Sequence, residues 1–378
     1  MRADAAPDLF DAPSLATLAD RCVQCGLCLP HCPTYRLDGV ESESPRGRIA
    51  YVKAVATGLL VPTETGDRHL DHCLGCRRCE AVCPAGVEME RLLVGARAAQ
   101  ASRRPPDTVV RWRLALLARP GLLKALLTAY RSAFRWLPRR FRSLPRPPAR
   151  APVSPVGDAA TVALFVGCVA GPYESETRAA LVRLLGAVGT SAAVPAGQGC
   201  CGTAAAHAGD VAGANRLGRA NRNAFAGHQR ILSLASGCQA GLAESLAGTA
   251  LVEDAIAFFE ERSEPLQFRS ARGRRVALHL PCTQRVLKSD AALRRLLTRI
   301  PDLDVVELPD TGCCGAAGLH MLAEPERAAR LRAPLLIAAD ATQATEILSA
   351  NIGCRLHLAN GSKIPVRHPI DFLSEHLP

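Results

Sequence analysis

Eight of the sixteen cysteines in this 378-residue chain fall into two runs with one spacing. "CVQCGLCLPHCP" supplies Cys22, Cys25, Cys28 and Cys32, followed by Pro33. "CLGCRRCEAVCP" supplies Cys73, Cys76, Cys79 and Cys83, followed by Pro84. Both read C-x2-C-x2-C-x3-C-P. Three thiolates two residues apart wrap one face of a cubane, because a tight loop turns each sulfur inward. The fourth cysteine is expected to begin a helix and, as in two-cluster ferredoxins, to complete the other cluster. The spacing therefore predicts one [4Fe–4S] cluster on Cys22, Cys25, Cys28 and Cys83. A second is expected on Cys73, Cys76, Cys79 and Cys32. Soft thiolates suit iron–sulfur or zinc, but structural zinc favours separated ligand pairs.

The other eight cysteines belong to an internal duplication. "GQGCCGTAAAH" (Gly197–His207) and "DTGCCGAAGLH" (Asp310–His320) share a vicinal pair, a following glycine and a histidine six residues past the second cysteine. "VALFVGC" ending at Cys168 matches "VALHLPC" ending at Cys282, and "ILSLASGC" ending at Cys238 matches "EILSANIGC" ending at Cys354. These anchors lie 114, 113 and 116 residues apart, in chain order. Each half has one plan: a strand and a cysteine, the pair, then a strand and a cysteine. Short β-like runs alternate with Ala/Leu/Arg-rich helical stretches, which predicts parallel α/β units. Vicinal cysteines make strained disulfides but serve as neighbouring ligands at strand-end loops. We therefore expect one or two further iron–sulfur clusters, or zinc, on Cys168, Cys200, Cys201 and Cys238 and on Cys282, Cys313, Cys314 and Cys354. The bland reading of any one of these thiols is a small buried residue.

The expected organisation is α+β and α/β. A helical two-cluster ferredoxin-like domain (1–100) is followed by a basic helical and Pro/Arg linker (101–157). Two Cys-Cys-Gly halves (158–270 and 271–378) complete the chain. The net charge of +11 belongs to the linker: residues 101–150 hold 13 Lys and Arg against Asp107 alone. That segment reads as an amphipathic helix packed on its own protein, a membrane-surface contact or a docking site for an acidic partner. Nucleic acid is not expected, since nothing else resembles a binding module. "MRADAAPDLFDAP" lacks the apolar core of a signal peptide, and no run of 18 apolar residues predicts a membrane span. A cytoplasmic location is expected, with peripheral contact to the cytoplasmic face of the inner membrane as the variant reading.

Between the first two motifs, "ESPRGRIAYVKAV" (Glu43–Val55) predicts a turn at Pro45 and Gly47 before a helix. Arg46 and Arg48 read as contacts for anionic sulfide cores or a partner, or as a solvated helix start. With the two motifs, "SPRGR" and the two Cys-Cys-Gly halves in view, the chain resembles the iron–sulfur subunit of bacterial glycolate oxidase. It is also similar to the wider heterodisulfide-reductase-like Cys-rich group, including subunits of anaerobic glycerol-3-phosphate and lactate oxidation systems. "NIGCRLHLANGSKIPVRHPIDFL" (Asn351–Leu373) carries that resemblance most closely. One departure stands out. The related halves end C-x-x-C, whereas here Gly241 follows Cys238 and His357 follows Cys354 at that position. His357 reads as a ligand or a core residue, and His207 and His320 as donors behind the ligands or as packing.

The resemblance implies an electron-transfer subunit of a flavin-dependent 2-hydroxy-acid (glycolate or D-lactate) oxidase. Its partners would be flavin-containing dehydrogenase subunits, and its acceptor quinone or another carrier. The chain itself shows no dinucleotide fingerprint or nucleophilic triad, so no residue is assigned as catalytic. The alternatives are a subunit of a glycerol-3-phosphate or lactate dehydrogenase, a stand-alone thiol or quinone oxidoreductase, and a zinc scaffold.

Overall fold

The computed structural model describes residues 12–138, 141–149 and 160–378. The reading of the N-terminal "MRADAAPDLF" and the end of the Pro/Arg linker at 150–157 lie outside the described residues.

The N-terminal region is all helix among its described residues. Helices Ala12–Asp20, Pro33–Asp38, Pro45–Ala56, Glu64–Asp71, Arg78–Ala81 and Met89–Arg103 surround the two cysteine loops. Leu15, Ile49, Val52, Leu70, Val87, Leu92 and Ala96 form their core. The expected turn and helix after Glu43 are present. Ser44 Oγ accepts from Gly47 N at 2.9 Å, and Pro45 occupies the first helical turn, where a missing N–H costs nothing. A side chain at Gly47 would lie 2.0 Å from Glu41 O, so this turn requires glycine.

The basic segment forms helices Thr108–Leu117 and Pro120–Ala133. Leu123 and Leu127 are buried against Ala170, Tyr173, Ala235, Ile352 and Leu356, so the segment packs on both halves of the duplication. Tyr130 donates to Leu144 O at 2.6 Å and Tyr173 to Pro145 O at 2.7 Å, tying down the strand of chain that leaves it.

Each half of the duplication holds a four-stranded parallel sheet. In the first, β1 (Val162–Phe165), β2 (Ala192–Ala193), β3 (Arg230–Ser233) and β4 (Leu251–Asp254) run in the order β2-β1-β3-β4. In the second, β5 (Arg275–Leu278), β6 (Asp304–Glu307), β7 (Glu346–Leu348) and β8 (Val366–Arg367) run β6-β5-β7-β8. The central pairs match in register, Ala163 with Ile231 and Ala277 with Ile347. Parallel strands buried on both faces read as unbroken apolar runs, which is why "VALF" and "VAL" are visible in the sequence.

The largest apolar core runs across both halves. Helix Ser175–Ala187 of the first packs on the C-terminal helix Pro369–Glu375 of the second, and Ala255–Glu260 packs on Asp290–Thr298. Leu181, Leu184 and Leu185 meet Phe372 and Leu373 there, fully buried. Each such side chain contributes roughly 1.5–3 kcal/mol of transfer free energy. Glu174 and Arg355 form a buried ion pair across the same junction.

Candidate metal centres

The two N-terminal loops share a backbone device. The third and fifth residues of each, Gln24 and Gly26 in one and Gly75 and Arg77 in the other, have positive φ. Alternating right- and left-handed residues curl a loop so that successive side chains and amides face one concavity. Gln24 and Arg77 adopt this conformation without being glycine, at a cost of roughly 1–2 kcal/mol each.

Cys32, Cys73, Cys76 and Cys79 line one cavity, together with Pro33, Pro45, Leu74, Met89 and Leu93. Cys22, Cys25, Cys28 and Cys83 line a second, with Cys79 also on its wall. In each, the fourth cysteine of one motif joins the first three of the other. Soft sulfur donors in an apolar lining suit an iron–sulfur cluster. Cys32 caps helix Pro33–Asp38, as the spacing leads one to expect. Cys83 does not begin a helix. It enters a turn in which Gly86 N donates to Cys83 O at 3.2 Å, and Gly86, at φ +62, carries the chain away. Burial and the neighbouring thiols push Cys79 well above the usual thiol range, so its sulfur stays protonated unless a cation joins it.

Arg48 is not a solvated helix start. It is buried, donates to Glu43 Oε2 at 2.6 Å and Thr34 Oγ1 at 2.9 Å, and lines the Cys32 cavity. Glu43 Oε1 also accepts from His69 and His72 Nδ1 at 2.7 and 2.6 Å, and Oε2 lies 3.0 Å from Arg327 of the second half. Burial alone would raise Glu43, but these hydrogen bonds and the Arg48 charge hold it at about 2. Sequence reasoning missed this carboxylate, because its partners come from positions 26, 29 and 284 residues away. Arg46, by contrast, lies near the surface, paired with Glu41 at 2.7 Å and donating to Gln24 O at 3.0 Å.

In the duplicated region all eight cysteines gather at the carboxyl ends of the strands. Cys168 follows β1 and the Cys200–Cys201 pair follows β2. Cys238 lies on helix Ser236–Ser245 after β3, and Cys354 on helix Ile352–Ala359 after β7. The Cys-Cys-Gly turns are built alike. Gly202 and Gly315 have φ +90 and +89, and a side chain at either would lie 3.2 or 2.9 Å from the carbonyl of Ala214 or Ala328. Cys168 and Cys200 sulfurs are 3.5 Å apart, and Cys314 and Cys354 sulfurs 3.0 Å. Neighbouring thiols donate to Cys201 in the first half and to Cys313 in the second, holding both well below the usual thiol range. Donation pushes up Cys238, Cys282 and Cys314, and contact with Cys168 and then Cys201 pushes up Cys200.

The two halves and the N-terminal region meet in one place. All eight of these cysteines, with Cys76, line a single cavity of about 580 Å³, bordered by Trp112, Leu116, Tyr130 and Phe141 of the basic segment. Protein encloses the Cys76 sulfur; this desolvation pushes its thiol well up, and the Cys313 sulfur adds to the effect. Pro33 packs where a side chain on Gly312 would stand, at 3.1 Å. Arg78 pairs with Asp310 at 2.7 Å, and Arg327 pairs with Asp38.

The three histidines singled out in the sequence part company. His357 is a core residue: Nε2 donates to Ala328 O at 3.0 Å, Nδ1 faces Arg332 Nη1 at 3.5 Å, and burial lowers it to about 4. His207 ends helix Thr203–His207, packs its ring against Gly75 and lies 3.5 Å from Glu90. His320 opens helix His320–Ala323, with Nδ1 2.9 Å from Gly315 O.

Comparisons with known proteins bear on this arrangement. Residues 18–87 match the 4Fe-4S dicluster domain, and residues 162–243 and 276–359 each match the Cysteine-rich domain. The chain is 35% identical to the glycolate oxidase iron–sulfur subunit of Escherichia coli K12, over 94% of this chain and 93% of that one. It is 30% identical to the probable glycolate oxidase iron–sulfur subunit of Bacillus subtilis 168, with the same coverage. One chain of the dihydromethanophenazine:CoB–CoM heterodisulfide reductase of Methanosarcina acetivorans is 25% identical, over 90% of this chain and 88% of that one.

Proposed function

Since this chain belongs to the family of glycolate oxidase iron–sulfur subunits, we propose that it is the electron-transfer subunit of a flavin-dependent 2-hydroxy-acid oxidase. Flavin-containing partner subunits remove hydride from glycolate or D-lactate, and this chain passes the electrons to quinone or another carrier. We assign Cys22, Cys25, Cys28 and Cys83 to one [4Fe–4S] cluster and Cys32, Cys73, Cys76 and Cys79 to another. The two Cys-Cys-Gly sets hold further iron–sulfur centres. When bound, these centres supply one-electron steps that a flavin and a two-electron acceptor need between them.

The observation that carries this reading is the seating of Cys76 beside Cys313 and Cys282. It brings a sulfur of the N-terminal sets within electrostatic reach of the sulfurs of the second half. Leu74 packs in the same apolar cluster and Pro33 against Gly312 beside that contact, and an apolar surround weakens the screening of charge on sulfur. The cysteines of each half touch in succession instead of converging. The one set of three or more ligand atoms within 4.8 Å of one another, among the described residues, is Glu43, His69 and His72, whose carboxylate two arginines already occupy.

The test is iron, sulfide and zinc content per chain after anaerobic reconstitution, with EPR of the reduced sample. Iron beyond the about eight atoms of two [4Fe–4S] clusters is expected. Zinc without iron sinks the electron-transfer reading.

A membrane-facing role for the basic segment has its own support. Trp112 and Trp136 are 61% and 82% exposed beside the arginines, the composition of an interfacial helix. No helix among the described residues is long and apolar enough to cross a membrane, so contact would be peripheral. Flotation with anionic vesicles at low and moderate salt decides it, and no binding at either removes the reading.

A further inference from the structure

The two N-terminal cysteine loops share a spacing and a backbone, yet one is covered and the other is bare. In the second loop Leu74, next to Cys73, is 5% exposed and packs in an apolar cluster with Leu308, Cys313 and Cys314 of the second half. The His207 ring stands where a side chain on Gly75 would lie. The Cys76 sulfur is within electrostatic reach of Cys313, and Arg78 pairs with Asp310 at 2.7 Å. Leu74, Gly75, Cys76 and Arg78 thus all meet the duplicated region.

The shared spacing sets Val23, Gln24, Cys25 and Leu27 at the same positions of the first loop, and there they are open. Val23 is 68% exposed and Leu27 55%. Cys25, the counterpart of Cys76, is the one exposed cysteine of the sixteen, all of them among the described residues. A lone exposed apolar residue needs no explanation. Here two of them flank an exposed cysteine of a cluster set, in the copy of a loop whose other version is an interface.

The loop also stands at the outer end of the sulfur sets. Cys79 lies on the wall of both N-terminal cavities, and Cys76 leads from one of them into the duplicated region. Cys22, Cys25, Cys28 and Cys83 are thus one step removed from the Cys-Cys-Gly halves. The charges flanking the loop are matched within the chain: Arg21 with Glu88 at 2.6 Å, Lys53 with Asp20 at 2.6 Å and Arg46 with Glu41 at 2.7 Å. A partner held here meets apolar side chains inside a neutral polar rim, the make-up of a protein interface. An anionic membrane is drawn instead to the arginine excess of residues 101–150. We propose that Val23, Cys25 and Leu27 form the docking surface for the flavin-carrying partner subunit, and that electrons enter this chain at Cys25. This rests on the reading of the chain as the electron-transfer subunit of a flavin-dependent oxidase. The reduced flavin gives up two electrons, and its protons leave to water. The centre held by these four sulfurs takes one electron and passes it toward Cys76 before taking the next.

The test uses the full chain, tagged and assembled with the flavin subunits, as wild type, as a Val23→Asp/Leu27→Asp double variant and as Val61→Asp. Val61, 80% exposed beyond helix Pro45–Ala56, is the control. Iron content and EPR after dithionite reduction are expected to be the same in all three. Flavin retained per chain is expected to fall at least ~10-fold in the double variant, as for a central interface contact. Reduction of the centres by glycolate or D-lactate should fall with it, while Val61→Asp matches wild type. Should the aspartates cost iron, Val23→Ser with Leu27→Ser makes the same comparison without added charge. Wild-type retention and reduction in the double variant, or an equal loss in Val61→Asp, overturns the docking surface and leaves the functional reading standing. A wild-type chain that retains no flavin subunit, or whose centres neither acid reduces, overturns both. A dimer of the isolated wild-type chain that the double variant splits gives the surface to a second copy and overturns the flavoprotein assignment.

Discussion

The two Cys-Cys-Gly halves share a topology and a turn, yet they differ in what surrounds their sulfurs. In the second half Cys313, Cys314 and Cys354 are all buried, and Cys76 of the N-terminal region faces Cys313. In the first half Cys200 and Cys201 are buried too, and Cys168 is partly open like its counterpart Cys282; the difference in exposure is at Cys238, which is partly open and borders the basic helices where Cys354 is buried. Duplication supplied two like sites, and the N-terminal region made them unequal by setting Cys76 beside the second set, while the basic helices border both. The helices that follow β4 and β8 repeat the lesson. Asp254 and His368 occupy equivalent cap positions, accepting from Ile256 N at 2.9 Å and from Ile370 N at 3.1 Å. Each also reaches into the other half, Asp254 Oδ2 to Ser289 Oγ at 3.1 Å and His368 Nε2 to Leu234 O at 3.1 Å. One position thus carries an acid in one half and a base in the other.

The largest test of this inequality is functional. Cys313→Ser is expected to cut acceptor reduction by the assembled complex more than ~100-fold, beyond what loss of a residue behind the ligands causes. It should also leave the first-half centre unreduced when electrons enter through the N-terminal sets. Cys200→Ser should leave the second-half centre reducible. Rapid-freeze EPR of both variants checks the order, and equal behaviour would erase the distinction between the halves.

Next in size is the junction that holds them together. Arg355→Ala strands the buried Glu174 carboxylate, and denaturant unfolding is expected to show a loss of ~3–5 kcal/mol. Adding Glu174→Gln should recover much of it. Smaller and more selective are the turn glycines. Ala at either position is strained by its left-handed φ, about 1–2 kcal/mol. Gly315→Ala also meets Leu331 Cβ and Ala328 O at 2.9 Å, closer than anything at Gly202. The second half should therefore lose more stability, in thermal melts, than the first.

The paired caps give a pH test with opposite signs. Burial lowers His368 to about 3 in the folded protein, so between about 3 and its ordinary 6.5 the unfolded chain binds more protons, and stability falls on acidification below pH 6.5. Burial raises Asp254 to about 6 from an ordinary 3.8; there the folded chain binds more protons, and stability falls as pH rises from about 4 to 6. The two oppose each other in that window. His368→Asn, which keeps a capping oxygen, should flatten or reverse the acid loss, while Asp254→Asn should steepen it, read from midpoints of denaturation between pH 4 and 7. The smallest stability effect belongs to the basic segment. Trp136→Ala should change stability by less than about 0.5 kcal/mol yet weaken binding to anionic vesicles.

Much of this molecule is legible in its sequence because thiol spacing is local chemistry. The C-x2-C-x2-C runs dictate their loops, and the apolar runs at 162–165 and 275–278 announce buried parallel strands. Strands β2 and β8, of two residues each, leave no periodicity to read. The helix expected after Cys83 gives way to a turn because Gly86 takes a left-handed conformation. Arg48, a polar residue in a helical stretch, cannot be told from a solvated one until its partners arrive, His69 O among them from 21 residues away.

By itself the sequence determined which donor atoms are on offer: sixteen thiols, their grouping, and a repeat that forces two like sheets. Only the tertiary structure decided which groups meet. Cys32 joins Cys73, Cys76 and Cys79, and Cys76 faces Cys313. The physical reason is that ligand identity is set by side-chain chemistry at single positions. Proximity across 237 residues, from Cys76 to Cys313, is set by the packing of Pro33 on Gly312 and the pairing of Arg78 with Asp310, which no local pattern encodes.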